Sequence, residues 1–175
     1  MEPSLGAEPK KKLRTFYRRL LTVGLLYLAF SILAGMVIAD LSLKFPLRPL
    51  HHRQEFAALV QGSFQAELQD ISIHASDGVT LKGWYVHPQH FNGNSVILLH
   101  GITDNREGVR GYARLFLEHG YAVLLPDARR HGESGGELAT YGVKESEDIH
   151  RWVSWMVEHD PPPCVFGFGE SYAQR

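Results

Sequence analysis

Ser171 lies in the pentapeptide Gly169-Glu170-Ser171-Tyr172-Ala173, directly after the apolar run Cys164-Val165-Phe166-Gly167-Phe168. A strand that turns sharply into a helix at such a serine exposes the hydroxyl at the apex, and small flanking residues let strand and helix approach closely. The chemistry this arrangement serves is nucleophilic acyl transfer. A serine hydroxyl is a weak nucleophile at neutral pH, so it needs an adjacent base, usually a histidine that a carboxylate orients. It also needs backbone N–H groups aimed at the developing oxyanion. One donor is the residue after the nucleophile, Tyr172, and the second comes from the loop after an earlier strand, where Ile102 follows His100-Gly101. Both act through the backbone, which explains why neither position needs a particular side chain. A dinucleotide-binding reading of Gly167-Phe168-Gly169 fails, because Tyr172 stands where the third glycine of that fingerprint belongs.

The elements that must position these residues are legible from periodicity. Ile71-Ser72-Ile73 and Val79-Thr80-Leu81-Lys82-Gly83-Trp84-Tyr85-Val86 flank Ser76-Asp77-Gly78, a turn signal between antiparallel strands. Ser95-Val96-Ile97-Leu98-Leu99 and Tyr121-Ala122-Val123-Leu124-Leu125 are short apolar runs of the kind buried on both faces of a sheet. Between them, Asp104 and Glu107 fit a capping box, and Val109, Tyr112, Ala113 and Phe116 recur at helical spacing until Gly120. Ile149, Trp152, Val153 and Met156 repeat that spacing behind Glu145, Glu147 and Asp148, acids suited to a helix N-terminus, and Pro161-Pro162-Pro163 ends the helix. Alternating strand and helix predicts an α/β fold with a parallel sheet whose strand ends gather His100-Gly101, Asp127 and Ser171 on one edge. Cys164, the single cysteine, excludes an internal disulfide and reads as a small core residue.

In this order the pieces resemble an α/β-hydrolase. From about Glu67 onward the chain is similar to the N-terminal half of that family, in particular to its membrane-anchored and serine-aminopeptidase-like serine hydrolases. The resemblance rests on Ser76-Asp77-Gly78, His100-Gly101-Ile102-Thr103, Gly120-Tyr121, Asp127-Ala128-Arg129-Arg130-His131-Gly132-Glu133-Ser134, Thr140-Tyr141-Gly142 and the serine elbow. It implies that Ser171 is the nucleophile, that Ile102 and Tyr172 form the oxyanion hole, that His100 belongs to the oxyanion loop, and that Asp127 and His131 order a loop rather than complete a triad. It also implies that the sheet is truncated after the elbow, with the triad acid and histidine beyond residue 175. The chain departs from the family pattern at Arg130 and Ala173, where glycine is usual.

Ahead of this region the twenty residues 20–39, from Leu20 to Ala39, carry no charge, and as a helix would span about 30 Å, the thickness of a hydrocarbon core. A transmembrane signal anchor in the lipid bilayer is the expectation, with a cleaved signal peptide cut after Ala39 as its rival. Lys10, Lys11, Lys12, Arg14, Arg18 and Arg19 outnumber the Lys44, Arg48 and Arg53 that follow, which places the N-terminus in the cytoplasm and the globular part outside, periplasmic or luminal. The organisation is then a basic tail over 1–19, the anchor over 20–39, a stalk over 40–66 and the N-terminal part of a hydrolase domain over 67–175. From Asp40 onward acids exceed bases, which excludes a nucleic-acid surface. The histidines lack metal-ligand spacing, and no metal or organic cofactor is implied.

Two functions follow. The first is a membrane-anchored serine hydrolase that cleaves an ester, thioester or amide of a small-molecule or acyl substrate. The second is a non-catalytic membrane-tethered binding module, or a truncated remnant of a hydrolase, with no protein partner specified by the sequence.

Overall fold

A computed structural model describes residues 8–44 and 46–170. The chain divides into two compact units, Met1–Ser42 and Leu43–Arg175. The first consists of most of helix α1 (Glu8–Leu43), within which Lys12–Leu43 is long and apolar enough to cross a membrane. Its apolar side chains, Leu25, Phe30 and Ile38 among them, are exposed.

The second unit runs α2 (Arg53–Phe64), β1 (Leu68–His74), β2 (Thr80–Val86), β3 (Ser95–Leu99), α3 (Arg110–Glu118), β4 (Ala122–Pro126), α4 (Glu145–His159) and β5 (Val165–Gly169). The five strands form one sheet in the order β1-β2-β4-β3-β5. β1 and β2 make the expected antiparallel hairpin, closed by the Ala75 N–H to Val79 carbonyl bond and by Gly78 at φ +81°. β2 pairs antiparallel with β4, while β3 pairs parallel with both β4 and β5. The chain therefore leaves β3 in one direction and returns past it in the other. That reversal opens a crevice at the carboxyl ends of β3 and its neighbours.

Each strand feeds two cores because successive side chains face opposite ways. Val96 and Leu98 of β3 join Val123 and Leu125 of β4 against Val109, Ala113 and Leu117 on one side; Ile97, Ala122 and Leu124 meet Trp152 and Met156 of α4 on the other. The segment read from the sequence as a stalk contributes α2, whose Phe56 and Val60 are buried in the first core. Phe56 stacks on Trp84 at 5.8 Å between centroids, and Trp84 donates to Asp70 Oδ1 at 3.0 Å.

Two local expectations are corrected. Asp104 and Glu107 do not cap α3, which begins at Arg110 without a side-chain cap. Asp104 instead pairs with Arg48, and Glu107 accepts the N–H of His51 at 2.9 Å, so both carboxylates hold the approach to α2. Cys164 is exposed rather than buried, because it precedes an edge strand of the described sheet, where Phe166 is also 47% exposed.

Candidate active site

A cleft of about 620 Å³ lies at the carboxyl ends of β3, β4 and β5. Its lining includes Leu99 at the end of β3, Gly101 and Ile102 just after it, Ala128 after β4, and Gly169 and Glu170 at the end of β5. Ser171, Tyr172 and Ala173 lie outside the described residues; the chain reaches them directly from Glu170, whose N–H donates to the Leu99 carbonyl at 2.9 Å.

His100 and His131 both border the cleft, and both rings are occupied. The Ala128 N–H donates to His100 Nε2 at 3.0 Å, and His100 Nδ1 lies 2.8 Å from the Gly101 carbonyl, so Nδ1 carries the proton. In the other direction the Thr103 N–H meets His131 Nε2 at 3.3 Å, while His131 Nδ1 donates to the Arg129 carbonyl at 2.9 Å. Each imidazole thus reaches across to take an amide from the opposite loop. The two histidines brace the β3 and β4 loops against each other, with ring centroids 4.9 Å apart.

Burial pushes both imidazoles below their ordinary value, and the neutral form is the one these bonds require. A histidine depressed in the folded state supplies stability that is complete above the free value of about 6.5 and is lost as pH falls through the folded value. Ring NMR titration of His100 and His131 is expected to give midpoints below 6.5. A midpoint at or above it for both would overturn the neutral brace.

Asp127, at the end of β4, is fully buried and wholly committed. Its carboxylate accepts the Arg106 N–H at 2.8 Å, the Glu133 N–H at 2.8 Å and the Arg106 guanidinium at 2.7 Å, and its carbonyl accepts the Ser134 hydroxyl at 2.8 Å. Burial pushes the carboxyl above the ordinary range, the charge of Arg106 and the two amides pulling the other way. These contacts make Asp127 an organiser of the loop. Gly132 sits at φ +48° in the same turn, and a Cβ there would land on the Asp127 carboxylate. Gly132→Ala is therefore expected to cost about 2–4 kcal/mol, from the left-handed backbone and the steric conflict together, read by denaturant unfolding.

Arg130 stands at φ +63°, in the left-handed region that glycine occupies most easily. This explains why glycine suits the position, and the Arg130 N–H to Gly135 carbonyl bond at 2.8 Å helps hold the turn.

Several residues of the site carry little sequence signal. Arg106 is 2% exposed and lies 4.8 Å over the Trp84 ring, yet it comes from a polar loop with no periodicity. Arg129 binds both oxygens of the buried Asp148 at 2.7 Å and reaches Asp77 at 3.0 Å. Arg129 and Lys144 together hold the Asp77 carboxyl well below the usual carboxylate range. Asp148 had a signal: it precedes Trp152 and Met156 by four and eight residues, on the stripe that faces the core. Among the described residues no three His, Cys, Asp or Glu side chains gather in a metal-binding group.

The X-Pro dipeptidyl-peptidase (S15 family) pattern matches residues 47–168. The uncharacterized protein YqkD of Bacillus subtilis is 40% identical over 92 residues, which cover 53% of this chain and 30% of that protein. Polyketide transferase grgF of a Penicillium species is 31% identical over 93 residues, or 51% of this chain and 31% of that one. Among solved structures, the Pyrococcus furiosus esterase Pf2001 superimposes with a TM-score of 0.57 at 32% identity, covering 62% of this chain and 44% of the esterase. The chain spans less than half the length of each of these relatives.

Proposed function

The chain belongs to the X-Pro dipeptidyl-peptidase (S15) family, with an α/β-hydrolase fold and hydrolase-like relatives, and from that premise we propose that it is a membrane-anchored serine hydrolase acting through an acyl-enzyme on Ser171. Ser171 Oγ attacks the carbonyl carbon of an ester, thioester or amide and passes its proton to a histidine base. The bond to the leaving group breaks, the leaving group takes that proton, and water then releases the acyl group. The Ile102 and Tyr172 amides serve the oxyanion. The triad acid and histidine come from sequence C-terminal to Arg175.

The observation that carries this reading is the cleft itself. It lies where β5 delivers Glu170, beside Ile102, on the strand ends where an acyl-transfer site in this fold is assembled. Among the described residues the Ile102 N–H has no acceptor, whereas the next two amides are taken by His131 and the Gly101 carbonyl. The bonded state of His100, His131 and Asp127 supports a base and acid from elsewhere in the protein.

Helix α1 supplies the anchor in this proposal. Six basic residues before the apolar run against three after it support a cytoplasmic N-terminus and a periplasmic or luminal hydrolase domain. The test is treatment of the full-length protein with a fluorophosphonate, which is expected to label Ser171 stoichiometrically. A protein that stays unlabelled while a known serine hydrolase reacts alongside overturns the enzyme and favours a non-catalytic tethered module.

A further inference from the structure

The chain that follows the apolar span is fastened to the surroundings of the cleft. Leu43, the first residue of the second unit, offers its carbonyl to the Ala139 N–H at 3.0 Å, and Ala139, 3% exposed, lines the cleft. Further on, Arg48 pairs with Asp104 at 3.2 Å, and its carbonyl accepts the Asn105 side-chain amide at 3.1 Å. Glu107 then accepts the N–H groups of both His51 and His52. Asp104, Asn105 and Glu107 stand on the connection from β3 to α3, which begins with Gly101 and Ile102 of the cleft. Residues 43–52 are therefore held, from one end to the other, by the connections that border the cleft. A tether that only kept the domain near a membrane would need none of these bonds.

Chain continuity turns the first of these bonds into a depth. In the anchored reading residues 20–39 fill the hydrocarbon core, and Leu43 then lies about 6 Å past its end along a helix that rises about 1.5 Å per residue. The headgroup layer on each side of the core is about 5–8 Å deep, so the Leu43 carbonyl stands within it, and tilt of the helix only brings it lower. Ala139 lies within 3.0 Å of that carbonyl. The surface nearby suits the same medium: Val143, whose N–H bonds the Thr140 carbonyl at 3.2 Å, is 81% exposed beside the cleft-lining Gly142.

We propose that the cleft edge of the domain is seated on the leaflet from which α1 emerges, and that the substrate is an acylated amphiphile drawn from that leaflet. The inference rests on the hydrolase reading and on α1 as the anchor, and it names the substrate class. In such an amphiphile the acyl carbonyl joins the apolar chain to the polar part, so it rides near the base of the headgroup layer. That is the depth at which the Leu43 carbonyl and Ala139 are held. A substrate dissolved in water gains nothing from a cleft fixed there.

The experiment uses full-length protein reconstituted into phosphatidylcholine vesicles, and its first arm reads the seating. A bimane label is placed, in a background without other cysteines, either at Val143→Cys with Cys164→Ser or on the native Cys164, which is exposed and precedes β5 at the strand end remote from the cleft. A nitroxide carried on the lipid headgroup is expected to quench the label at 143 more strongly than the label at 164. Equal quenching, or more at 164, overturns the seating. The second arm inserts a Gly/Ser linker of about twelve residues between Ser42 and Leu43, about 20 Å in root-mean-square length, which lets the domain turn while the Leu43 to Ala139 bond stays within it. A hexadecyl fluorophosphonate dissolved in the vesicles is expected to label this variant about ten-fold more slowly than wild type, and a water-soluble methyl fluorophosphonate to label both within about two-fold. No loss with the hexadecyl probe, or an equal loss with both, overturns the substrate class. A wild type that neither probe labels overturns the hydrolase reading and the substrate class with it, and the quenching pattern still decides the seating.

Discussion

Arg106→Ala is expected to destabilise the folded domain by about 3–5 kcal/mol, the cost of leaving a buried charge without its partner. The pair it breaks is enclosed: the Arg106 and Asp127 side chains are 2% and 0% exposed, and their closest approach is 2.7 Å. Glu133, which also contacts the guanidinium, is largely exposed and contributes little by comparison. Loss of the guanidinium also removes its contact with the Trp84 ring, so packing and electrostatics fail together. For a domain of this size the thermal midpoint should fall by roughly 10–15 °C, at about 3 °C per kcal/mol.

The deficit should depend on pH with a definite sign. Burial already pushes the Asp127 carboxyl up, and without Arg106 it rises further. A carboxyl raised in the folded state binds its proton more tightly there than in the unfolded chain. Its contribution is present below the unfolded value of about 3.9 and is lost as pH rises through the folded value. The variant should therefore lie closest to wild type in mild acid and fall away toward neutrality. Urea unfolding at pH 5 and pH 7.5 measures both effects, and a deficit under 1 kcal/mol, or one that shrinks as pH rises, would count against the buried pair.

Ser171→Ala should abolish fluorophosphonate labelling and lower kcat of the full-length enzyme by up to about a million-fold, the scale seen when a triad nucleophile is removed. The loss should appear in kcat with KM nearly unchanged, because alanine removes the attacking oxygen and leaves the binding cleft intact. Ile102→Ala offers the contrast. It keeps the backbone N–H assigned to the oxyanion and is expected to stay within several-fold of wild type, whereas loss of such a donor costs about a hundred- to a thousand-fold. Pre-steady-state acyl release from an activated ester reads both variants. Retained turnover in Ser171→Ala would remove the serine from the mechanism.

Both results trace to the same short stretches of chain, but with different visibility. Ser171 stands out because small residues, Gly169 and Ala173, stand two positions to either side and an apolar strand leads into it. Arg106 has no comparable context: an arginine in a polar loop looks solvated until Trp84 of β2 and Asp127 and Glu133 of the loop after β4 are brought round it. His100 and His131 lie between these cases. Their position at strand ends is readable, yet the exchange of amides that occupies both rings depends on the separation of two loops.

Local periodicity and turn chemistry by themselves determined the strands, the two crossover helices, the hairpin at Gly78 and the apolar span of α1, because these depend on side-chain spacing within one segment. Only the tertiary structure decided that β3 lies between β4 and β5, that Phe56 and Val60 of α2 complete a core, and that Asp104 and Glu107 secure the approach to α2 instead of capping α3. Those outcomes turn on which distant groups are left without a partner once the sheet has formed. A buried carboxylate or an unpaired amide takes the nearest complementary group in space, and nearness in space is not written in the spacing of a single segment.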